Sequence, residues 1–496
     1  MEYLPDNKSK ESMKLAFDKK MASERKDWLI EYNKDGVLDT SNKSVGISDF
    51  IDSELIHFSM SDIQRSIPSV VDGFKISQRK ALFGCIKKGI VNNEAKVAQI
   101  CGYISDVSQY HHGESSMNGT IISMAQDFVG SNNINLLLPK GQLGSRLEGG
   151  KDSASPRYVF VQMSEITQKI FRKEDEFVLS YMEEDGNPVE PCNYVPVICM
   201  TLVNGSQGIG TGFSTSIPQY NPVDIIENVK NKLKNMPTKK LTPFYRGFKG
   251  RITEKEDGVF NVDGLFSITD CTKGKKVTIR ELPVGTWSIP YKKYLEGLVE
   301  KKQILSYQEA CTDTIVDFEV IFDSETFDRE NLVSLLKLSS TIRTSNMHCF
   351  DANGKIKKYE TTCDIENAHF EERMNLYKKR KNFHIKVLSH ELKILKEKCR
   401  FFDSRLNGTI VLEGQKLQDV IQNLKNINFK ELGKTFDDQN KSFDYITNIK
   451  IFDVTSEKME KLVYEKEKTK KELEYMENIS IESMYMNDIL DLEKNI

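Results

Sequence analysis

The alternation of apolar and polar positions changes texture along this 496-residue chain. In residues 1–44 a helical stretch, "ESMKLAFDKKMASERKDWLIEY", offers Met13, Leu15, Phe17, Met21, Trp28 and Leu29. These are too few to close a core, so the spacing predicts an arm that needs another surface to lie against. From about residue 45 to 197 short helices are punctuated by Gly and Pro, led by "FIDSELIHFSMSDIQRSIPSVVDG" and "SQRKALFGCIKKG". In the second, Ser77 is the expected N-cap and Gly89 the expected stop. Between about 198 and 356, "FKGRITEKEDGVFNVDGLFSIT", "KKVTIRELPVGTW" and "DTIVDFEVIF" alternate or run β-branched between Gly, Pro and Asp, which predicts strands in an α/β domain. After 356 the chain turns charged and helical. Leu388, Leu392, Leu395, Cys399 and Phe402 step by four, three, four and three, the seam of a coiled coil. Leu462, Thr469, Leu473 and Met476 repeat that register more weakly. Two such helices flanking a compact stretch predict an antiparallel arm with a globular insert at its far end; two surface helices on an ordinary domain are the plainer alternative.

Length and a 39% hydrophobic content allow about two to four domains. The net charge of −3 averages 70 basic against 73 acidic side chains, so any nucleic-acid surface must come from local segregation of charge. The nine cysteines form neither a C-x-x-C pair nor a metal-finger spacing, and the N-terminus has no apolar signal core, which points to a reducing intracellular compartment. No apolar run approaches the roughly 18 residues of a membrane span, which predicts a soluble protein.

Candidate chemistry centres on "GGKDSASPRYVF", where Arg157 and Tyr158 follow a proline and a run of small residues. A tyrosine has a pKa of about 10 and needs help to act as a nucleophile near neutral pH. An adjacent arginine supplies fixed positive charge to the phenolate and to a phosphate under attack. A phosphotyrosyl ester would keep the energy of the broken phosphodiester, so the reaction would be reversible strand breakage. Neighbouring residues in a regular strand face opposite ways, so the pair is expected at the irregular mouth of a strand, where Pro156 fits. Alone, an Arg–Tyr pair is a weak signal, and ordinary strand packing is the reading to prefer.

Around that pair, "YHHGESSMNGTIISMAQDFVGSNNINLLLPKGQLGSRLEGGKDSASPRYVF" (110–160) closely resembles the DNA-gate segment of type IIA DNA topoisomerases in their eukaryotic and large-DNA-virus form. "RSIPSVVDGFKISQRKALF", "YVPVICMTLVNGSQGIGTGFSTSIP", "FKGRI" and "ELPVGTW" extend the likeness in order along essentially the whole chain. The resemblance implies a multidomain α+β architecture: an N-terminal arm (1–44), a winged-helix DNA-gate domain (45–197), a mixed α/β tower domain (198–356), and a long antiparallel coiled coil with a C-terminal dimerisation gate (357–496). It implies Tyr158 as nucleophile with Arg157 assisting. Lys75 and Arg79 would face the DNA backbone, although a solvated helix face explains their charge as well. His111 and His112 are poor zinc ligands without a second pair; the resemblance makes them parts of the gate. Ser115 would stand at a helix start whose amides favour a phosphate. Gln142, Ser145, Arg146 and Lys151 would lie on the loop leading to Tyr158, and Ile209 would wedge between base pairs. Gly205, Gly208, Gly210 and Gly212 would otherwise suggest a phosphate-binding loop, a reading set aside here.

The family's acidic TOPRIM motifs and its ATPase domain have no counterpart in this sequence. The expectation is a breakage-reunion half, either a natural split subunit or a piece of a longer chain. A partner domain or subunit would supply Mg²⁺ and ATP, and double-stranded DNA and a second copy would complete the assembly. A silent DNA-bending protein and a coiled-coil interaction protein are the competing readings; the intact gate loop argues against both.

Overall fold

The computed structural model describes the chain except for residues 1, 39, 40, 42, 273, 325, 326, 412, 413 and 450–454. It divides into two compact units. One comprises residues 1–173, 179–373 and 488–496, and the other residues 174–178 and 374–487.

In the larger unit the N-terminal arm is tied down at both ends. Strand Glu2–Leu4 pairs in parallel with Ser44–Gly46, and the Asp6 carboxylate accepts from the Ser48 amide at 2.9 Å. Leu29, from helix Ala22–Ile30, joins Ile56, Ile63, Ile67, Phe213 and Phe350 in one cluster, the outside surface that the sparse apolar pattern required.

Helices Ile76–Lys88, Val97–Val107 and Glu114–Ala125 pack on one another beside a three-stranded antiparallel sheet. Its central strand, Phe160–Met163, lies between Ala95–Lys96 and Leu137–Lys140. Leu82, Ile100, Ile104, Met117, Ile121 and Val161 are buried there. The first of these helices stops at Gly89 in the left-handed region (φ 69°), as its sequence predicts. Its start differs from expectation. Lys75 occupies the cap position, where its amide donates to the Gln78 side chain at 3.0 Å, and Ser77 sits inside the first turn. Gln78, three residues on, reaches back to the cap residue's amide as the N3 side chain of a capping box does.

The strand-rich middle includes two larger antiparallel sheets. Gly274–Glu281 and Phe318–Phe322 occupy the centre of a four-stranded sheet flanked by Leu265–Cys271 and Ser306–Glu309. Phe318, Val320 and Phe322 turn one face toward helix Ser288–Glu300, whose Tyr291, Leu295 and Leu298 complete the core. Strands Arg251–Glu256, Val259–Asp263 and Ser339–Arg343 make a separate three-stranded sheet. Hydrogen bonds also cross position 197/198: Thr201 Oγ1 donates to the Val70 carbonyl at 3.0 Å.

In the smaller unit, the distal part of helix Thr362–Leu406 carries the predicted seam. Leu392, Cys399 and Phe402 are buried and Leu388 and Leu395 half-buried. Lys381 Nζ donates to the Ile479 carbonyl at 2.7 Å, whereas Met459 and Leu462 reach the cluster around Phe401 and Phe402, so helix Ser456–Asn478 runs back antiparallel. Between the two helices Ile410, Val420, Leu424, Phe429, Phe443 and Ile446 form a small core, the expected globular insert.

Candidate nucleic-acid interface and cleavage site

Tyr158 lies on a turn, its amide donating to the Ser155 carbonyl at 2.9 Å, and the strand starts two residues later at Phe160. The flanking backbone is pinned from one side: Val97 and Ala98, opening helix Val97–Val107, donate to the Val159 and Pro156 carbonyls at 3.0 and 3.1 Å. Val159 is buried, while Tyr158 is 73% exposed and Arg157 is also exposed. A fixed backbone thus presents two unburied side chains where the strand has not yet imposed its two-faced alternation.

The loop before the turn is held by short-range polar contacts. Asp152 accepts from the Ser145 amide at 2.9 Å, Gln126 Nε2 donates to the Leu143 and Gly150 carbonyls, and the Ala154 amide reaches the Gln142 carbonyl. The Gln142 side chain and Lys151 are exposed, and Ser145 is buried. Arg146, expected on a DNA-facing loop, is only 4% exposed and forms an ion pair with Glu281.

Arg79 is likewise buried. Its Nε lies 2.7 Å from Asp72, which also accepts from the Phe74 and Tyr194 amides. Burial opposes its charge, but Asp72, with Glu190 and Cys192 near, raises its pKa overall. Lys80 is buried between Glu190, at 3.0 Å, and Glu184. His111 Nε2 meets the other Glu184 oxygen at 3.0 Å, and exposed His112 stands edge-on to Tyr110. The His112 pKa is lowered by partial burial and by the neighbouring Arg65, His111 and Lys80 charges. Ser115 is exposed in the first turn of the 114–125 helix, after Glu114.

Lys75 is half-buried, and its ammonium donates to the Gln207 carbonyl at 2.7 Å; burial lowers its pKa. This bond joins it to the hairpin of Ser206–Ile209 and Ser214–Ile217, whose tip carries Ile209 at 87% exposure. The glycines that mimic a phosphate loop build this hairpin: a Cβ on Gly208 would collide with the Ser66 carbonyl oxygen, and Gly212 needs φ 75°. The structure therefore brings Lys75 to Ile209's hairpin, and Gln142 and Ser145 to the Tyr158 loop.

Asp72, Asp152, Gln126 and Glu281 hold these pieces and were not singled out from sequence. Asp72 had a readable signal, an Asp-Gly turn pair in "VVDGF"; Glu281 had none. Among the described residues no three His, Cys, Asp or Glu side chains group as a metal site requires. No helix among them is long and apolar enough to cross a membrane.

The family model for the A-type chain of DNA gyrase/topoisomerase IV matches residues 65–493, and that of the C-terminal associated domain of TOPRIM matches residues 2–63. The chain belongs to the type IIA topoisomerase family. It is 40% identical to DNA topoisomerase 2 of Arabidopsis thaliana over 99% of its own length and 36% of that protein's, and 36% identical to DNA topoisomerase 2 of Acanthamoeba polyphaga mimivirus over 98% and 44%. It also matches the solved DNA-binding, cleavage and re-ligation domain of Plasmodium falciparum topoisomerase II, with a TM-score of 0.86 at 38% identity, covering 99% of this chain and 70% of that one. The chain spans well under half the length of these curated relatives.

Proposed function

We propose that this chain is the breakage-reunion part of a type IIA topoisomerase, with Tyr158 as nucleophile and Arg157 steadying charge at the scissile phosphate. The phenolic oxygen gives up its proton as it attacks phosphorus, and the bond to the 3′ oxygen breaks. That oxygen takes up a proton and leaves as a hydroxyl, and the 5′ end stays on Tyr158; reversal reseals the strand. The observation that carries the reading is the exposed tyrosine on a backbone held by amide–carbonyl bonds at Pro156 and Val159.

The remaining assignments belong to the same proposal. The 76–125 helices with their small sheet act as a winged helix against DNA. Lys75, His111, His112, Ser115, Gln142 and Lys151 supply polar and basic contacts. Ile209 inserts as a wedge that bends the duplex. Arg79 and Arg146 serve from inside: Arg79 holds the turn that sets Lys75, and Arg146 holds the loop that leads to Tyr158. Residues 1–44 dock the TOPRIM-bearing partner, 198–356 form the tower, and 357–496 form the coiled coil whose insert meets a second copy. Magnesium and ATP are bound by the partner domain or subunit, and the assembly acts on DNA within the cell.

The test uses the chain with a TOPRIM- and ATPase-bearing partner, Mg²⁺ and duplex DNA. Denaturation and nuclease digestion should leave a nucleotide mass on the Tyr158 peptide, absent in Tyr158→Phe. An adduct that persists in that variant removes Tyr158 from the mechanism.

A further inference from the structure

Arg146 and Glu281 are separated by 135 positions and are both buried, at 4% and 1% exposure. Glu281 ends the central strand Gly274–Glu281, and its carboxylate is fully engaged. It accepts from the Lys249 amide at 3.0 Å and from the Leu282 amide at 2.9 Å, and it pairs with the Arg146 guanidinium. Arg146 in turn donates to the Leu282 carbonyl at 3.0 Å. A carboxylate held by two rigid backbone donors is a fixed point, and a bidentate-capable guanidinium on it fixes the loop it belongs to.

Two further contacts join the same two segments. The Ile289 amide, in the first turn of helix Ser288–Glu300, donates to the Leu147 carbonyl at 3.0 Å. A Cβ on Gly149 would collide with the Trp287 indole, so ring and loop backbone are in close apposition. Phe128 holds that indole in turn, edge-on with centroids 5.6 Å apart. Residues 146–149 thus rest on a platform made by 281–289, and nine residues beyond Gly149 the chain reaches Tyr158.

We infer that Glu281 is a positioning residue for strand cleavage: through Arg146 it anchors the loop leading to Tyr158 onto the strand-rich region, setting where the phenolic oxygen stands relative to the scissile phosphate. The inference rests on Tyr158 being the nucleophile. Because an in-line attack tolerates little displacement, loosening the anchor slows adduct formation while leaving the exposed cationic surface that sets DNA affinity intact.

Adduct formation is measured at saturating DNA for the chain with its TOPRIM-bearing partner and Mg²⁺, alongside DNA affinity and a fluorine resonance from 3-fluorotyrosine at position 158. Glu281→Gln should slow adduct formation by about 10²-fold, the scale of an ångström's misplacement. DNA affinity should stay within about threefold, and the fluorine line should shift or broaden. Glu281→Asp should recover part of the rate. Because Glu281→Gln strands a buried charge and can unfold the chain, the paired variant Arg146→Met/Glu281→Leu removes both charges at once. If the pair only stabilises the fold, that variant cleaves at the parent rate, and the inference fails. If it folds, binds DNA and cleaves as slowly as Glu281→Gln, the inference stands. Tyr158→Phe, measured in parallel, separates the two levels: an adduct surviving there overturns the nucleophile itself, whereas its loss together with parent-like cleavage by the paired variant overturns only the role of Glu281.

Discussion

Gly73→Ala isolates what the turn between Asp72 and Lys75 demands of its backbone. Gly73 has φ 74°, a left-handed conformation in which a side chain costs about 1 kcal/mol. An added Cβ would also stand 2.7 Å from the Thr201 amide nitrogen and 2.9 Å from its Cα. Thr201 is backbone of a fully buried helical turn, so neither side yields easily, and overpacking of this kind costs about 1–3 kcal/mol. The two costs are independent and together give about 2–4 kcal/mol. Gly89 has nearly the same φ, 69°, with nothing within 4 Å of an added Cβ, so Gly89→Ala carries the conformational cost alone, about 1 kcal/mol. Gly102, exposed within helix Val97–Val107 and equally open, should gain about 0.5–1 kcal/mol as alanine. Hydrogen exchange of the slowest amides in the 76–88 helix reads all three. Because the turn seats Asp72 under Arg79 and sets Lys75 on Gln207, Gly73→Ala should also weaken DNA binding where Gly89→Ala does not. Equal destabilisation in Gly73→Ala and Gly89→Ala would refute the steric argument.

Two further outcomes follow from buried groups. His369 donates through Nε2 to the Pro196 carbonyl at 2.9 Å, and burial holds its pKa down at about 3 from 6.5. The unfolded chain therefore binds a proton that the folded chain refuses: stability is full above pH 6.5 and is lost as pH falls toward 3, by about 2 kcal/mol at about pH 5. His369→Gln should remove one proton from the pH dependence of urea unfolding, and an unchanged slope would contradict the assignment. Phe443→Ala empties part of the small core between the arm helices and should cost about 3–5 kcal/mol, read as lost exchange protection in helix Leu417–Asn426; retained protection there would show that the insert does not depend on this core.

Local chemistry was legible in the sequence wherever periodicity or a turn signal carried it. Alternation at Phe318, Val320 and Phe322 gave a true strand, the four-three steps from Leu388 to Phe402 gave a helix with that seam inward, and Gly89 gave its stop. Ser77 lies inside the first turn and accepts from the Thr120 hydroxyl, while the cap position falls on Lys75, a residue type with no capping signal of its own. Arg79 and Arg146 look like surface cations in the sequence and are buried in the fold, since charge in a sequence says nothing about burial. Their partners, Asp72 and Glu281, lie 7 and 135 positions away, and only the folded backbone brings the second into range. Lys75 shows the same limit from the other side, since its bond to Gln207 spans 132 positions.

The Arg146–Glu281 pair also constrains how this chain can exchange parts with its relatives. A crossover anywhere between the two positions separates an arginine from the carboxylate that neutralises it. Unless the donor sequence carries an equivalent acid, the product buries a lone charge beneath the loop that bears Tyr158. Substitution at either site alone leaves the other's charge buried and unpaired, so the two positions are best changed together. In building chimeras, segments 141–158 and 274–289 must therefore travel together, and a joint at the apparent seam between gate and strand-rich region is the wrong place to cut.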